Sequence, residues 1–214
     1  MAILFDEAKQ LFYLHTEHTS YILGLLEGHL VHVYWGKRLN DIPAPAESVL
    51  YGSRPQALYT DPERPDLQSD FLPAEYPAYG HADLRTPALH IHYEDGSTIS
   101  EFHYVSYRIA AGRAKLPGLP HARGNDGTQT LELTLRDPKT GADLVLSYHV
   151  FEAEDAITRH AAIYNHGEQT ITLERMLSAS IDLEGCDYDA VTLRCRSAGA
   201  LCGKNTPVSQ CTSD

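Results

Sequence analysis

The chain has 214 residues, of which 43% are hydrophobic and 21% charged, so its composition is that of a folded globular protein and excludes a largely disordered one. Seventeen basic and 29 acidic residues give a net charge of −12, and no Lys/Arg cluster offsets it locally. Such a chain repels phosphate groups, so we expect neither nucleic acid nor an anionic membrane surface as a partner.

Residues 1–10 mix apolar and acidic side chains and lack the basic start and apolar run of a signal peptide. The longest apolar stretch, around Tyr21–Leu26, is too short to span a bilayer. Both observations predict a cytoplasmic protein.

Residues 2–39 predict short strands at the edge of a β-sandwich. Thr19–Leu25 and Leu30–Trp35 flank Glu27-Gly28, a hairpin-type turn. Trp35 is the only tryptophan, and a core or inter-sheet anchor is a more common role for it than a ligand platform.

Regular periodicity then disappears between Asn40 and Thr86, a proline-rich stretch. Within it, Leu72–Pro87 combines prolines with Tyr76 and Tyr79, whose large rings favour an ordered loop. Long polar connections inside a compact domain are usually functional, and we expect this one to be so.

Alternating polar and apolar residues resume after Pro87 and predict three hairpins. The first has Ala88–Glu94 and Ser97–Ile109 around Asp95-Gly96, and the second joins Thr128–Leu135 to Asp143–Phe151. The third has its turn at His166-Gly167, between residues 156–165 and 169–183. The predicted fold class is therefore all-β, a large antiparallel two-sheet β-sandwich.

Metal and nucleophile chemistry have weak support in this sequence. His90 and His92 lie on one face of a predicted strand, as in cupin metal sites, but the acids that follow them are at the turn itself. The four cysteines (Cys186, Cys195, Cys202 and Cys211) match no CxxC spacing, so we predict no metal site and no cofactor. There is also no GxSxG or P-loop motif.

Residues 61–85 contain the mixture that sugar sites need, with charged groups that bind hydroxyls and aromatic faces that pack on the ring. The candidates are Asp61, Arg64, Glu75, Tyr76, Tyr79, Asp83 and Arg85. An internal network, Asp83–Arg85 or Glu75–Arg85, that only holds the loop explains the same residues equally well.

Several motifs in the same order carry a family resemblance. Leu72–Gly80 (LPAEYPAYG), continuing to Asp83, Arg85 and Pro87, resembles the amino-terminal domain of glycoside hydrolase family 36 α-galactosidases. Further pieces that agree are Tyr34-Trp35-Gly36, Asp95-Gly96-Ser97 with Tyr104, Leu116–Pro120 and Ala179–Asp182. The resemblance covers about Ile3 to Leu193.

The resemblance implies a β-supersandwich over residues 1–193 that precedes a (β/α)₈ catalytic barrel. The family's two catalytic aspartates belong to that barrel and are absent here, so no catalytic residue is assigned and a truncated α-galactosidase is expected. Residues 194–214 depart from the family pattern, and we interpret them as an aberrant, disordered tail, with an out-of-frame ending as a hypothesis.

The family also implies how such a domain is used. Its bacterial members are commonly homo-oligomers, in which a loop of this domain reaches a neighbour's sugar site. By position, Asp61 and Arg64 match the loop residues that contact the sugar, and residues 72–87 match the loop scaffold. The implied partners are α-galactosides such as melibiose and raffinose. The alternative is a stand-alone carbohydrate-binding module.

Overall fold

The computed structural model describes residues 2–40, 72–80, 86–113, 122, 124 and 127–181, together with the backbone of 191–192 and 206–207. Every regular element within these ranges is a β-strand. A search of the same residues finds no helix of the length and hydrophobicity needed to cross a bilayer.

Four antiparallel strands in sequence order form the first sheet, β1 (Ile3–Asp6), β2 (Leu11–His15), β3 (Thr19–Leu26) and β4 (His29–Lys37). Glu27 and Gly28 both have positive φ (47° and 83°), which matches the right-handed twist of the flanking strands and confirms the predicted turn. Leu26 lies opposite His29 at the end of this hairpin.

A second four-stranded meander contains β6 (His103–Ala111), β7 (Gln129–Arg136), β8 (Asp143–Phe151) and β9 (Ala156–Tyr164). The β7–β8 hairpin confirms the second predicted hairpin. Its turn is closed by the Gly141 amide, which donates to the Asp137 carbonyl at 2.8 Å. Gly141 has φ of 73°, a conformation that glycine adopts without strain.

The other two predicted hairpins are wrong in their pairing. β5 (Leu89–Tyr93) pairs with β10 (Ile171–Met176), whereas β6 pairs with β7 and β9 with β8. The Asp95-Gly96 turn does form, since the Gly96 amide donates to the Tyr93 carbonyl. However, Lys139 of the β7–β8 turn holds the Asp95 carboxylate at 2.8 Å, and the chain leaves for the second sheet instead of returning along β5.

One apolar core joins the strands of both larger sheets and β5. Alternate residues point inward, and the fully buried ones include Phe12, Leu23, Ile91, Leu133 and Leu146. Gln129, the first residue of β7, connects the second sheet to the start of β1, because its Oε1 accepts hydrogen bonds from the amides of Ala2 and Ile3 at 2.9 and 3.0 Å. The fold is an all-β antiparallel sandwich, as predicted.

The chain divides into two compact units, residues 1–181 and 182–214. In the second unit, β11 (Val191–Thr192) and β12 (Thr206–Pro207) pair antiparallel. The division expected from the sequence, at residues 193 and 194, therefore stays a prediction.

Candidate functional site

The segment Leu72–Gly80 lies across β4 and β5 and is held by its backbone. The His32 amide donates to the Pro73 carbonyl at 2.7 Å, and the Glu75 amide donates to the Leu30 carbonyl at 3.0 Å. Further along, the Tyr79 amide donates to the Leu89 carbonyl at 2.9 Å. These bonds fix the segment at both ends, although it forms only isolated bridges.

Glu75 is the centre of a buried polar cluster in this segment, with 1% of its surface exposed. The Tyr21 hydroxyl on β3 lies 2.8 Å from both carboxylate oxygens, and the Tyr148 hydroxyl on β8 donates to Oε1 at 2.7 Å. Arg159 on β9 places its Nη2 3.0 Å from Oε1. His32 Nδ1 lies 3.5 Å from Oε2.

The charges and hydrogen bonds of this cluster stabilise the carboxylate of Glu75 in the interior. Burial and the adjacent Glu75 raise the pKa of the Tyr21 and Tyr148 phenols, so both hydroxyls keep their protons and donate. Arg159 also lies over the Tyr148 ring, 5.3 Å from its centroid. A buried carboxylate is tolerated only when it is paired and hydrogen-bonded, and this one has both a cation and two hydroxyl donors.

The two predicted tyrosines of the segment, Tyr76 and Tyr79, both contact other parts of the fold. Tyr76 is 8% exposed, its hydroxyl donates to the Leu177 carbonyl, and burial raises its pKa to about 12. Tyr79 stacks on His90, with the ring centroids 4.4 Å apart. Tyr76 is therefore not an exposed platform for a sugar ring.

Trp35 differs from the expectation of a core anchor. It is 48% exposed, and its ring lies 6.4 Å from that of Tyr21 in an edge-to-face arrangement. The prediction was wrong because Trp35 lies near the end of β4, where the side chains are exposed or only half-buried.

The remaining predicted residues, Asp61, Arg64, Asp83 and Arg85, lie outside the described residues. The sequence left an internal network, Asp83–Arg85 or Glu75–Arg85, as one of two alternatives for these residues. It did not indicate Arg159, Tyr21 or Tyr148 as partners of Glu75. The composition of β9 was the one hint for Arg159, a cation in a strand with several apolar residues, whereas its position opposite Tyr148 is visible only in the structure.

Metal binding at His90 and His92 has no geometric support. His90 lies against Tyr79, and His92 is exposed, with Glu174 3.9 Å away. Within the described ranges, the side chains close enough to share a metal are instead His29, Glu101 and His103.

Comparison with known proteins places this sandwich in a family. The sequence model of the "Glycosyl hydrolase family 36 N-terminal domain" matches residues 28–196. The α-galactosidase AgaA of Geobacillus stearothermophilus is 35% identical over 196 residues, which cover 90% of this chain and 27% of that protein. The chain thus spans about a quarter of the length of the curated relatives it matches.

Solved structures agree with the sequence comparison. The family 36 α-galactosidase AgaB of Geobacillus stearothermophilus superposes with a TM-score of 0.82 at 35% identity, covering 90% of this chain and 26% of that one. A variant of AgaA crystallised with raffinose gives a TM-score of 0.79 at 35% identity, with 86% and 26% covered. The match to the family model and the similarity to these α-galactosidases show that this chain belongs to glycoside hydrolase family 36 and carries the amino-terminal domain of that family.

Proposed function

We propose that this domain serves an α-galactosidase by shaping the sugar site of a neighbouring subunit and by supporting assembly of the oligomer. The substrates would be terminal α-galactosides such as melibiose and raffinose. Its relatives support this proposal, because they are α-galactosidases and one of them binds raffinose in its crystals.

The observation that carries the proposal is the burial of Glu75. Asp61 and Arg64, the proposed sugar contacts, precede this carboxylate by little more than ten residues. Tyr21, Tyr148 and Arg159 come from three different strands and fix Glu75 in the interior. A contact residue on a loop needs such a rigid attachment, since small displacements of a binding group are costly.

The first test measures catalysis by the 214-residue chain itself. Hydrolysis of nitrophenyl α-galactoside should be at background, because the proposed role is to complete a site on another subunit. Turnover at an ordinary enzyme rate, on the order of 1–1000 per second, would contradict the proposal.

A second test measures the proposed contacts directly. Residues 1–181 replace the corresponding domain of AgaA, and Asp61→Ala and Arg64→Ala are made in the hybrid enzyme. We expect KM for raffinose to rise at least tenfold, with oligomer size unchanged. Glu17→Ala, an exposed acid on the β2–β3 turn, is the matched control. An unchanged KM in both contact variants would remove Asp61 and Arg64 from the site.

The exposed ring of Trp35 favours a second candidate, a carbohydrate-binding module that acts alone. An aromatic face open to solvent is the usual platform for the apolar face of a sugar. Because Trp35 is the only tryptophan, its fluorescence reports on this surface directly. A saturable fluorescence change on titrating the chain with raffinose supports the module, and a flat titration supports a site completed between subunits.

A further inference from the structure

We propose that His29, Glu101 and His103 form a binding site for a divalent transition metal of the zinc type, at the junction of the first and second sheets. This inference is independent of the proposed sugar-site role. The three side chains offer two imidazole nitrogens and one carboxylate oxygen, all within 4.8 Å of one another. Two histidines and one acid are a ligand set that zinc accepts, with its fourth position left to water.

The backbone brings these residues together from distant parts of the sequence. His29 is the first residue of β4, directly after the Glu27-Gly28 turn. Glu101 and His103 lie two residues apart where the chain extends into β6, so their side chains point to the same side. The Tyr104 amide donates to the Gly28 carbonyl at 2.7 Å and holds the two segments together.

The contacts among the three side chains are those of a nearly formed site. His103 Nε2 lies 2.9 Å from Glu101 Oε1, and the His29 and His103 rings are 5.0 Å apart. A metal with bonds of about 2.1 Å holds its ligand atoms roughly 3–4 Å apart. Side-chain rotations that move the ligand atoms by about 1 Å would therefore bring them to that spacing. The side chains of His103 and Glu101 are 38% and 36% exposed, so a metal ion in solution can reach both of them.

Gly28 and a small cavity supply the space that the site requires. A Cβ at position 28 would lie 3.3 Å from His103 Nδ1, so glycine gives the imidazole room to turn. His29 and Glu101 also line a cavity of about 50 Å³, next to Tyr76 and Phe102. A water needs about 10–15 Å³ of such space, so the cavity has room for water beside His29 and Glu101.

The test titrates Zn²⁺ into the chain by calorimetry, with the bound metal counted by elemental analysis. Cys186, Cys195, Cys202 and Cys211 are first changed to serine, because thiolates bind zinc on their own. We expect one equivalent to bind and the melting temperature to rise with Zn²⁺. Absence of saturable binding in this background would overturn the proposal.

Three variants locate the metal. His29→Ala and His103→Ala should each weaken Zn²⁺ binding at least tenfold, in line with the roughly 10–100-fold effects seen even for outer partners of a metal. His92→Ala is the matched control, since His92 is also exposed and beside an acid, Glu174. Loss of binding in His92→Ala, or unchanged binding in both site variants, would contradict the assignment.

Cobalt spectroscopy keeps the test decisive if a histidine variant fails to fold. Co²⁺ added to the cysteine-free parent should develop the visible absorption bands of a site with nitrogen and oxygen ligands. A spectrum identical to that of aqueous Co²⁺ would overturn the proposal.

Discussion

The guanidinium of Arg159 lies 3.0 Å from the carboxylate of Glu75 in the interior of the sandwich, although the two residues are far apart in the sequence. The side chain of Glu75 is fully buried and that of Arg159 is 15% exposed, so water screens the pair poorly. The pair connects the proline-rich segment 72–80 to β9, and this connection leads to the first prediction.

Glu75→Gln should lower the free energy of unfolding by about 3–5 kcal/mol, because it leaves the buried charge of Arg159 uncompensated. Urea denaturation measures the loss. Glu132→Gln is the matched control, since Glu132 pairs with Arg108 at the surface and should cost at most about 1 kcal/mol. Equal losses in the two variants would show that the buried pair contributes no more than a surface one.

Tyr148→Phe tests the hydroxyl that donates to Glu75. Removal of one hydrogen bond to a charged acceptor should cost about 1.5–3 kcal/mol. Tyr164→Phe, on the exposed end of β9, should change the free energy of unfolding by less than about 0.5 kcal/mol. A Tyr148→Phe chain as stable as the parent would mean that water or another donor replaces the hydroxyl.

His149 should make the fold sensitive to mild acid. Burial, together with the charges of Arg113 and His160, lowers the pKa of His149 from 6.5 to about 4. Between these two pH values the imidazole is protonated in the unfolded chain and neutral in the folded one. This contribution to stability is complete above pH 6.5 and is lost as pH falls towards 4. From pH 7.5 to 5 the loss should be about 2 kcal/mol.

The measurement compares the parent with His149→Gln, which keeps a polar group near Thr130, by urea denaturation at pH 7.5 and pH 5. Burial also lowers the pKa of His15 and His160, but these residues are present in both chains, so the difference in slope belongs to His149. Parallel pH profiles would contradict the prediction.

Gly80 should tolerate a side chain less well than Gly96, although both have positive φ, 90° and 81°. A Cβ at position 80 would lie 2.8 Å from Ile99 Cγ1, whereas one at position 96 meets nothing within 4 Å. Gly96→Ala should cost about 1 kcal/mol from backbone strain alone, and Gly80→Ala about 2–3 kcal/mol. Thermal unfolding of the two variants gives the comparison, and an equal loss would mean that Ile99 moves aside freely.

The amino-acid pattern alone was sufficient to predict the fold class and two of the hairpins, β3–β4 and β7–β8. At Glu27-Gly28 and Asp137–Gly141 the two strands that flank the turn pair with each other, because a short loop brings consecutive strands close enough to hydrogen-bond. The order of several motifs was also sufficient to identify the family, since collinear agreement over most of the chain does not depend on knowing any contact.

Contacts between residues that are distant in the sequence became visible only in the folded protein. Asp95-Gly96 predicts a turn, but the pairing of β5 with β10 is a choice between non-local strands that no dipeptide specifies. Likewise, Glu75 was a candidate from composition, yet its donors come from β3, β8 and β9, and His29 meets Glu101 and His103 across two sheets. Packing brings these side chains together, and their spacing in the sequence carries no trace of it.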